Sequence, residues 1–452
     1  MSFELTREFI INLKELIDQS DEKSVASLVS HLHPADIADI FDELSFEEAK
    51  FLYLDLEGEQ RADVLIELDD DTRERFLNTL SGEEIAKQFI EEMDSDDAAD
   101  VIGELSEEKQ EEVLQHIEDV ELAGEIVDLL AYDEDTAGGL MAKELIKVNK
   151  NWNIPTCLRE MRKQASDVDE VYYVYVVDDD NLLQGILSLK KLLLAKNNFS
   201  IEEIYKADVI SVQTDTKDEE VAIIMEKYDL VALPVVDSIG RLMGRITIDD
   251  VVDVIREEAE KDYQMASGIV EDVEPSDNVV LLTRARIPWL FIGLLGGITA
   301  ALILGRYEAD LGLYPEMAFF IPLIAAMGGN VGVQSSAIIV QGLAANTIGL
   351  ESTGRKLLKE LAVAAINGTI LSSIILAYNL LLKESLALTT TVSISLFAVI
   401  VFASLFGTFI PLALNRFKID PALATGPFIT TVNDIVGLAI YLMMGRVLYG
   451  VF

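Results

Sequence analysis

Asp434 is the residue with the sharpest chemical demand in this sequence. It lies in the run Gly426-Pro427-Phe428-Ile429-Thr430-Thr431-Val432-Asn433-Asp434-Ile435-Val436-Gly437, inside an apolar stretch from Pro421 to Gly445. A carboxylate buried in a bilayer costs at least ~2.5–3.5 kcal/mol unless it meets water or a counter-charge. No Lys or Arg lies within the apolar stretches to pair with it, so it either carries a proton or faces a hydrated cation path. Pro427 is expected to remove a helical hydrogen bond and free backbone oxygens beside the carboxylate. Carboxylate, hydroxyl and carbonyl oxygens suit Mg²⁺, Ca²⁺ or Mn²⁺ rather than copper or zinc. One carboxylate cannot strip Mg²⁺ of its water, but it can hold the ion through its hydration shell. A two-fold dimer would bring two copies of Asp434 to one axis.

A second polar run interrupts another apolar stretch: Pro322, then Gly328-Gly329-Asn330-Val331-Gly332-Val333-Gln334-Ser335-Ser336. The glycines and proline either loosen the helix and expose carbonyls, or allow close helix packing. Asn330 and Gln334 add side-chain oxygens.

These residues require membrane-spanning helices to place them. Five stretches are long enough to cross a bilayer: Ile287–Gly305, Met317–Leu350, Leu361–Leu382, Ser385–Asn415 and Pro421–Gly445. With the N-terminus in the cytoplasm, Arg284, Arg286, Arg355, Lys356, Lys359, Arg416 and Lys418 flank the inner side. Arg306, Lys383 and Arg446 flank the outer side. That asymmetry favours a multi-pass protein of the cell membrane with its N-terminus inside and its C-terminus outside. The opening residues lack a signal-peptide pattern.

Charge divides the chain in two. The first 282 residues hold 71 acidic and 25 basic side chains and the rest 8 and 10, giving formal charges of −46 and +2. So acidic a surface repels nucleic acid and attracts cations, although it also serves solubility. The single cysteine, Cys157, rules out an internal disulfide and a Cys-based zinc site. His31 and His33 are close in sequence but have no third soft ligand beside them.

Residues 1–131 read as helical, with Ala-Asp-(Ile/Val)-x-x-Glu-Leu repeated at Ala38–Leu44, Ala62–Leu68 and Ala99–Leu105. Repeats of this size suggest stacked helix pairs in a small solenoid. Asp94, Asp96, Asp97 and Asp100 could hold a cation or form a solvated helix start. Residues 137–255 contain a duplication: Val177-Asp178, Gly185 and Ser188 match Val236-Asp237, Gly244 and Thr247 at an offset of 59. This strand-rich pair resembles tandem cystathionine-β-synthase-type (CBS) domains, placed at 132–200 and 201–255. In such domains a Ser/Thr-x-x-Asp element often holds a ribose. Thr247 with Asp250 fits that element and Ser188 with Lys191 does not, so an adenine nucleotide such as ATP has one matching element. A helix from Asp249 to about Gly268, within a connecting region at 249–282, lines up Asp250, Asp253, Glu257 and Glu260 on one face. Such a face is either solvated or bridged to another acidic surface by cations.

The fold expected is therefore multidomain: an α-helical solenoid, an α/β tandem CBS pair, and an all-α membrane domain of five transmembrane helices at 283–452. The order of these parts, Tyr132-Asp133-Glu134-Asp135-Thr136-Ala137-Gly138-Gly139-Leu140-Met141, a GGNxGxQ element and a DPAxxxxPxxTTxxD element together resemble the MgtE family of magnesium transporters and channels over nearly the whole chain. The resemblance implies a homodimer, no enzymatic activity, and a pore lined by the second and fifth spans. It implies that Asp434 is the main pore carboxylate, with Asp420, Gly328, Asn330 and Thr430 lining or shaping the path. It also implies closure by cytoplasmic Mg²⁺ on Asp96, Asp100, Glu219, Asp229, Asp250, Asp253, Glu258 and Asp262, the last four on a connecting "plug" helix. Lys217, Lys261, Val333 and Gly426 depart from the family pattern. Membrane lipid and divalent cations, Mg²⁺ and also Mn²⁺ or Co²⁺, are the partners expected, with no nucleic acid. A CBS-gated anion channel would not carry Asp434 as its buried charge. A proton-coupled transporter would show flux that follows a pH gradient, and an intramembrane aspartyl protease would need a second buried Asp. A sensor without transport would not need polar, proline-broken spans.

Overall fold

The computed structural model of the chain describes residues 3, 5–54, 56, 58–165, 168, 171–196, 199–271, 273, 278–344, 352–424 and 426–449. Two compact units are present, 1–256 and 257–452.

The first unit opens, among the described residues, with ten α-helices, from α1 (Arg7–Asp18) to α10 (Val120–Leu129). The three copies of the Ala-Asp repeat fall at equivalent places. They occupy the ends of α3 (Pro34–Asp42), α5 (Gly58–Ile66) and α8 (Ser95–Gly103), and the leucines that close the last two copies, Leu68 and Leu105, are buried. The solenoid core is aromatic at its centre. Tyr53 packs against Phe41, Phe76 and Phe89 at centroid distances of 5.9, 4.2 and 5.6 Å, and its hydroxyl donates to the Arg61 carbonyl at 2.8 Å. The buried hydroxyl thus has the partner it needs.

The duplication is visible as two three-stranded sheets of like topology. β1 (Ile146–Asn149) is followed by α11 (Ile154–Gln164), β2 (Val174–Val177), β3 (Leu183–Leu187) and α12 (Leu189–Leu194). β4 (Val212–Gln213) is followed by α13 (Asp218–Tyr228), β5 (Ala232–Val236) and β6 (Leu242–Thr247). In each sheet the first strand is parallel and the last antiparallel to the middle one. The register slips at Val176/Val177 in one and at Val235/Val236 in the other, so even the bulge is duplicated. The segment ahead of β1 belongs to the second sheet. Ala137 and Gly138 donate to the Thr216 and Thr214 carbonyls at 2.7 and 2.9 Å, and Ala142 exchanges two backbone bonds with Arg245 on β6. Gly138 and Gly139 permit this tight course, because a Cβ at either would lie 2.5 Å from Tyr132 or 2.8 Å from the Asp133 carbonyl.

From β6 the chain enters α14 (Ile248–Ser267), which buries Val251 and Val254 and exposes Asp253, Glu257 and Glu260. Four further helices follow: α15 (Val279–Arg306), α16 (Glu308–Leu313), α17 (Ile321–Ala344) and α18 (Thr353–Leu381). The last two are α19 (Leu386–Arg416) and α20 (Gly426–Leu448). Five of these are long and apolar enough to span a membrane, the second being preceded by a 3₁₀ turn at Pro315–Phe320. The tail of the second expected span, residues 345–350, lies outside the described residues.

One sequence expectation is corrected and one pair of alternatives is decided. Pro427 does not break a span. It sits in the first turn of α20, where its missing N–H has no intrahelical partner to lose. Nor do the glycines loosen α17, which is helical throughout from Ile321 to Ala344. They let helices meet. A Cβ at Gly332 would collide with the Asn433 amide nitrogen and lie 2.8 Å from Ile429 Cγ2, and a Cβ at Gly407 on α19 would strike the Gly332 carbonyl. Gly332→Ala should therefore destabilise the membrane unit by about 1–3 kcal/mol, seen as a lower melting temperature in detergent. Adding Asn433→Ala, which removes the colliding amide, should restore part of that loss. If the two changes simply add, this contact is misassigned.

Candidate cation sites

In the second unit Asp434 lies in α20 against the glycine face of α17. A Cβ placed on Gly329 would sit 3.7 Å from Asp434 Oδ1 and 3.6 Å from Thr430 Cγ2. Thr431 on the neighbouring face fits against Gly296 of α15. Asp434 and Thr430 are half-buried, Asn330 is exposed and Gly328 is buried against Val399. Among the described residues no ion pair engages Asp434. The Thr430 hydroxyl donates to the Gly426 and Pro427 carbonyls at 3.2 and 3.1 Å, so it offers lone pairs rather than a proton to its surroundings. Asn433, one residue before Asp434, is fully buried, and neither atom of its carboxamide has a hydrogen-bond partner.

At the start of α20, Asp420 is exposed and caps the 3₁₀ turn Pro421–Ala424 by accepting from the Ala422 amide at 2.7 Å. The end of α14 reaches this point. Gly268 and Gly426 both adopt the left-handed conformation, a Cβ on Gly268 would lie 2.5 Å from Pro427 Cγ, and one on Gly426 would collide with the Ala266 carbonyl. Asp262 on α14 is held above the usual carboxylate range, first by partial burial and then by the nearby carboxylates of Asp420 and Glu258. Asp262 and Asp420 are thus near enough to repel each other. Glu258 is neutralised locally by Lys261 at 2.9 Å. The other lysine that departs from the family pattern, Lys217, lies 3.9 Å from Asp133 and 4.0 Å from Asp135.

The first unit assembles a denser acidic site. The segment pairing of Ala142 with β6 delivers Lys143 and Glu144 to the N-terminus of α8. Glu144 accepts there from the Ser95 amide at 3.1 Å and from its hydroxyl at 2.8 Å, while Ser95 Oγ accepts from the Lys143 amide at 3.0 Å. Carboxylate oxygens of Asp94, Asp96 and Glu144 all lie within 4.8 Å of one another. Burial, followed by repulsion from Asp97 and Asp250, pushes Asp96 well up. Burial and then Asp250 raise Asp97 to about 7. Burial also raises Asp250, against the two hydrogen bonds it receives from the Thr247 amide at 3.0 Å and hydroxyl at 2.8 Å. Crowded oxygen donors that repel one another are what a hard divalent ion would bridge, displacing protons as it binds.

The structure groups the other expected residues unevenly. Asp100, at an exposed position on α8, has Glu134 and Glu104 as acidic neighbours and Arg73 as a basic one. Asp253 is close enough to Glu67 to raise its affinity for a proton, though burial contributes more, and His33 opposes both. His33 itself uses Nδ1 to cap α3 at the Ala35 amide, 3.3 Å away, a structural role that needs no metal. Glu219 and Asp229 stand at opposite ends of α13. Ten residues of helix hold them about 15 Å apart along the axis, so one chain does not bring them together. Sequence reasoning missed Glu144, Asp94 as its partner, Glu67 and Glu360. Glu360 is a second carboxylate within the spanning helices. α18 begins at Thr353, and Glu360 lies inside it.

The two units thus define a multi-pass membrane protein with a CBS pair and oxygen-rich acidic sites, the class of a cation transporter. Residues 321–444 match the family model for divalent cation transporters, 32–135 that for the MgtE intracellular N domain, and 137–198 and 201–257 that for CBS domains. The chain is 34% identical over 447 residues to the magnesium transporter MgtE of Thermus thermophilus, covering 98% of this chain and 99% of that one. It is 34% identical over 317 residues to the magnesium transporter MgtE of Enterococcus faecalis, covering 70% of each. It is also similar to a solved structure of the cytosolic domain of the Mg²⁺ channel MgtE in complex with ATP, at 35% identity and a TM-score of 0.50, covering 54% of this chain and 99% of that one. The chain belongs to the MgtE family of magnesium transporters.

Proposed function

We propose that the chain is a Mg²⁺-selective channel, working as a homodimer, that admits Mg²⁺ down its electrochemical gradient and closes when cytoplasmic Mg²⁺ is plentiful. The observation that carries this reading is Asp434, half-buried on the α17 face of α20 with no ion-pair partner among the described residues. Asn330 on α17 stays exposed in a single protomer. A second copy across a two-fold axis would enclose both residues around a hydrated path. Asp434 would hold Mg²⁺ by accepting from its waters, and Asn330, Thr430 and the exposed Asp420 would supply further oxygens along the way.

Closure follows from the acidic sites. Asp94, Asp96, Asp97, Glu144 and Asp250 repel one another when empty, and a divalent ion among them favours the compact arrangement. Asp100, Asp253, Glu219, Asp229, Glu258 and Asp262 would add to this, Asp262 acting beside Asp420 at the mouth of α20. Several ions together can supply the few kcal/mol such a switch needs. A nucleotide such as ATP at the CBS pair is supported by Thr247 and Asp250. These two bond to each other, so nucleotide binding would have to exchange that bond.

The test is Mg²⁺ flux into liposomes holding the full chain, with internal Mg²⁺ varied. Influx should fall as internal Mg²⁺ rises through the millimolar range, independently of a pH gradient. Influx that follows the pH gradient instead would replace the channel with a proton-coupled carrier.

A further inference from the structure

Glu360 sits seven residues into α18 and reaches between two other helices. Ser335 Oγ on α17 donates to Glu360 Oε1 at 2.7 Å, and Ser404 Oγ on α19 donates to the same oxygen. The two hydroxyl oxygens are 3.1 Å apart. Since each hydroxyl has one proton and both point at the carboxyl, three helices are tied at a single acceptor. Ser335 and Ser404 are buried and Glu360 is half-buried.

What this tie controls follows from the residues around it. One turn away on α17, Gly332 meets Gly407 of α19 and Asn433 of α20. Contacts between glycines are smooth, so a helix resting on them could slide or rotate with little loss. A buried polar contact that fits in one register only removes that freedom. Ser335 lies five residues beyond Asn330 and six beyond Gly329, about 7.5–9 Å along the helix. A shift of α17 by one residue would move it about 1.5 Å and turn it about 100°, carrying Gly329 away from Asp434.

We propose that Glu360 is a positioning residue for cation passage, clamping α17 to α19 and so fixing the height and rotation at which the Gly328–Asn330 segment faces Asp434. The inference rests on the reading that α17 and α20 line the path. Glu360 acts as an acceptor for two hydroxyls and does not touch the ion.

The experiment uses the full chain in liposomes and measures Mg²⁺ influx against external Mg²⁺ for Glu360→Leu, Glu360→Gln and the double variant Ser335→Ala/Ser404→Ala. Each is normalised to folded protein by its melting transition in detergent. Glu360→Leu and the double variant should raise the half-saturating Mg²⁺ by about 2–30-fold, the range over which a residue that touches neither ligand modulates coupling, and leave maximal influx within about threefold. Glu360→Gln keeps an Oε1 that accepts both hydroxyls and should stay within about twofold of the parent. The proposal is overturned if Glu360→Leu keeps the parent's half-saturation, or if its influx drops only in proportion to folded protein lost. It is also overturned if Glu360→Gln fails as fully as Glu360→Leu, since the charge itself would then matter. Asp434→Asn is run alongside. If it still conducts, the lining reading falls and takes this inference with it. If it is silent while Glu360→Leu behaves as the parent, only this inference falls.

Discussion

Asp434→Asn should reduce Mg²⁺ influx by at least about 100-fold while the protein remains folded. The replacement keeps shape and a hydrogen-bonding oxygen but removes the charge. Two carboxylates facing one axis would hold a hydrated dication by charge-assisted bonds from its waters, which are roughly twice as strong as neutral ones. Losing both charges in a low-dielectric passage costs several kcal/mol of ion stabilisation, and each 1.36 kcal/mol is a factor of ten. Asp434 has no ion-pair partner among the described residues, so its neutralisation leaves no basic group stranded. The melting temperature should hold or rise, since an uncompensated carboxylate at membrane depth is itself costly. Asp434→Glu should keep measurable influx. Flux in Asp434→Asn equal to the parent's, with the protein inserted and folded, would remove the central group from the mechanism.

The parts of the molecule that were legible beforehand are those set by local pattern. Five apolar runs give five spanning helices because length and hydropathy decide insertion without reference to partners. The CBS duplication was readable at Val177 and Val236 because equivalent strands keep their bulge and turn residues. Contacts that cross the sequence were not readable. Glu144 reaches the N-terminus of α8 only because residues 137–142 join the sheet of the second CBS copy, a pairing with no local signature. Glu360 was hidden for another reason. It borders Lys356 and Lys359, so a charge-free window starts at Leu361 and counts the glutamate as flank. In the structure α18 extends back to Thr353 and the carboxyl finds its hydroxyls on two other helices. The glycines of α17 could be read two ways from sequence, and the decision for packing came from Asn433 and Gly407, residues 101 and 75 positions further along the chain.

Cation binding to the full chain in detergent should release protons, and Mg²⁺ should bind more tightly as pH rises from about 6 to 8. The acids around Asp96 set both signs. Asp97 is raised to about 7, and Asp96 and Asp250 are raised as well, burial being the first cause in each case. A carboxyl whose proton affinity is greater in the folded state stabilises that state at low pH and loses the contribution as pH climbs from the unfolded value near 4 through the folded one. The ion-free protein should therefore become less stable between about pH 5 and 8, with its acidic cluster unfavourably charged at the upper end. Mg²⁺ competes with those protons. Each proton displaced makes the affinity rise by about tenfold per pH unit below 7 and level off above it. Glu48, Glu84, Glu160 and Asp237 shift the opposite way through hydrogen bonds and ion pairs, but their contribution changes below about pH 4.5 and leaves this window untouched. Adding Mg²⁺ at pH 6.5 in weak buffer with an indicator dye reads the released protons directly, and melting curves with and without Mg²⁺ read the stability. Asp96→Asn/Asp97→Asn should abolish most of the proton signal and flatten the pH dependence of the ion-free form. Binding that releases no protons and is independent of pH across this range would mean that these carboxylates are already ionised when empty, and that their mutual repulsion does not power the closure.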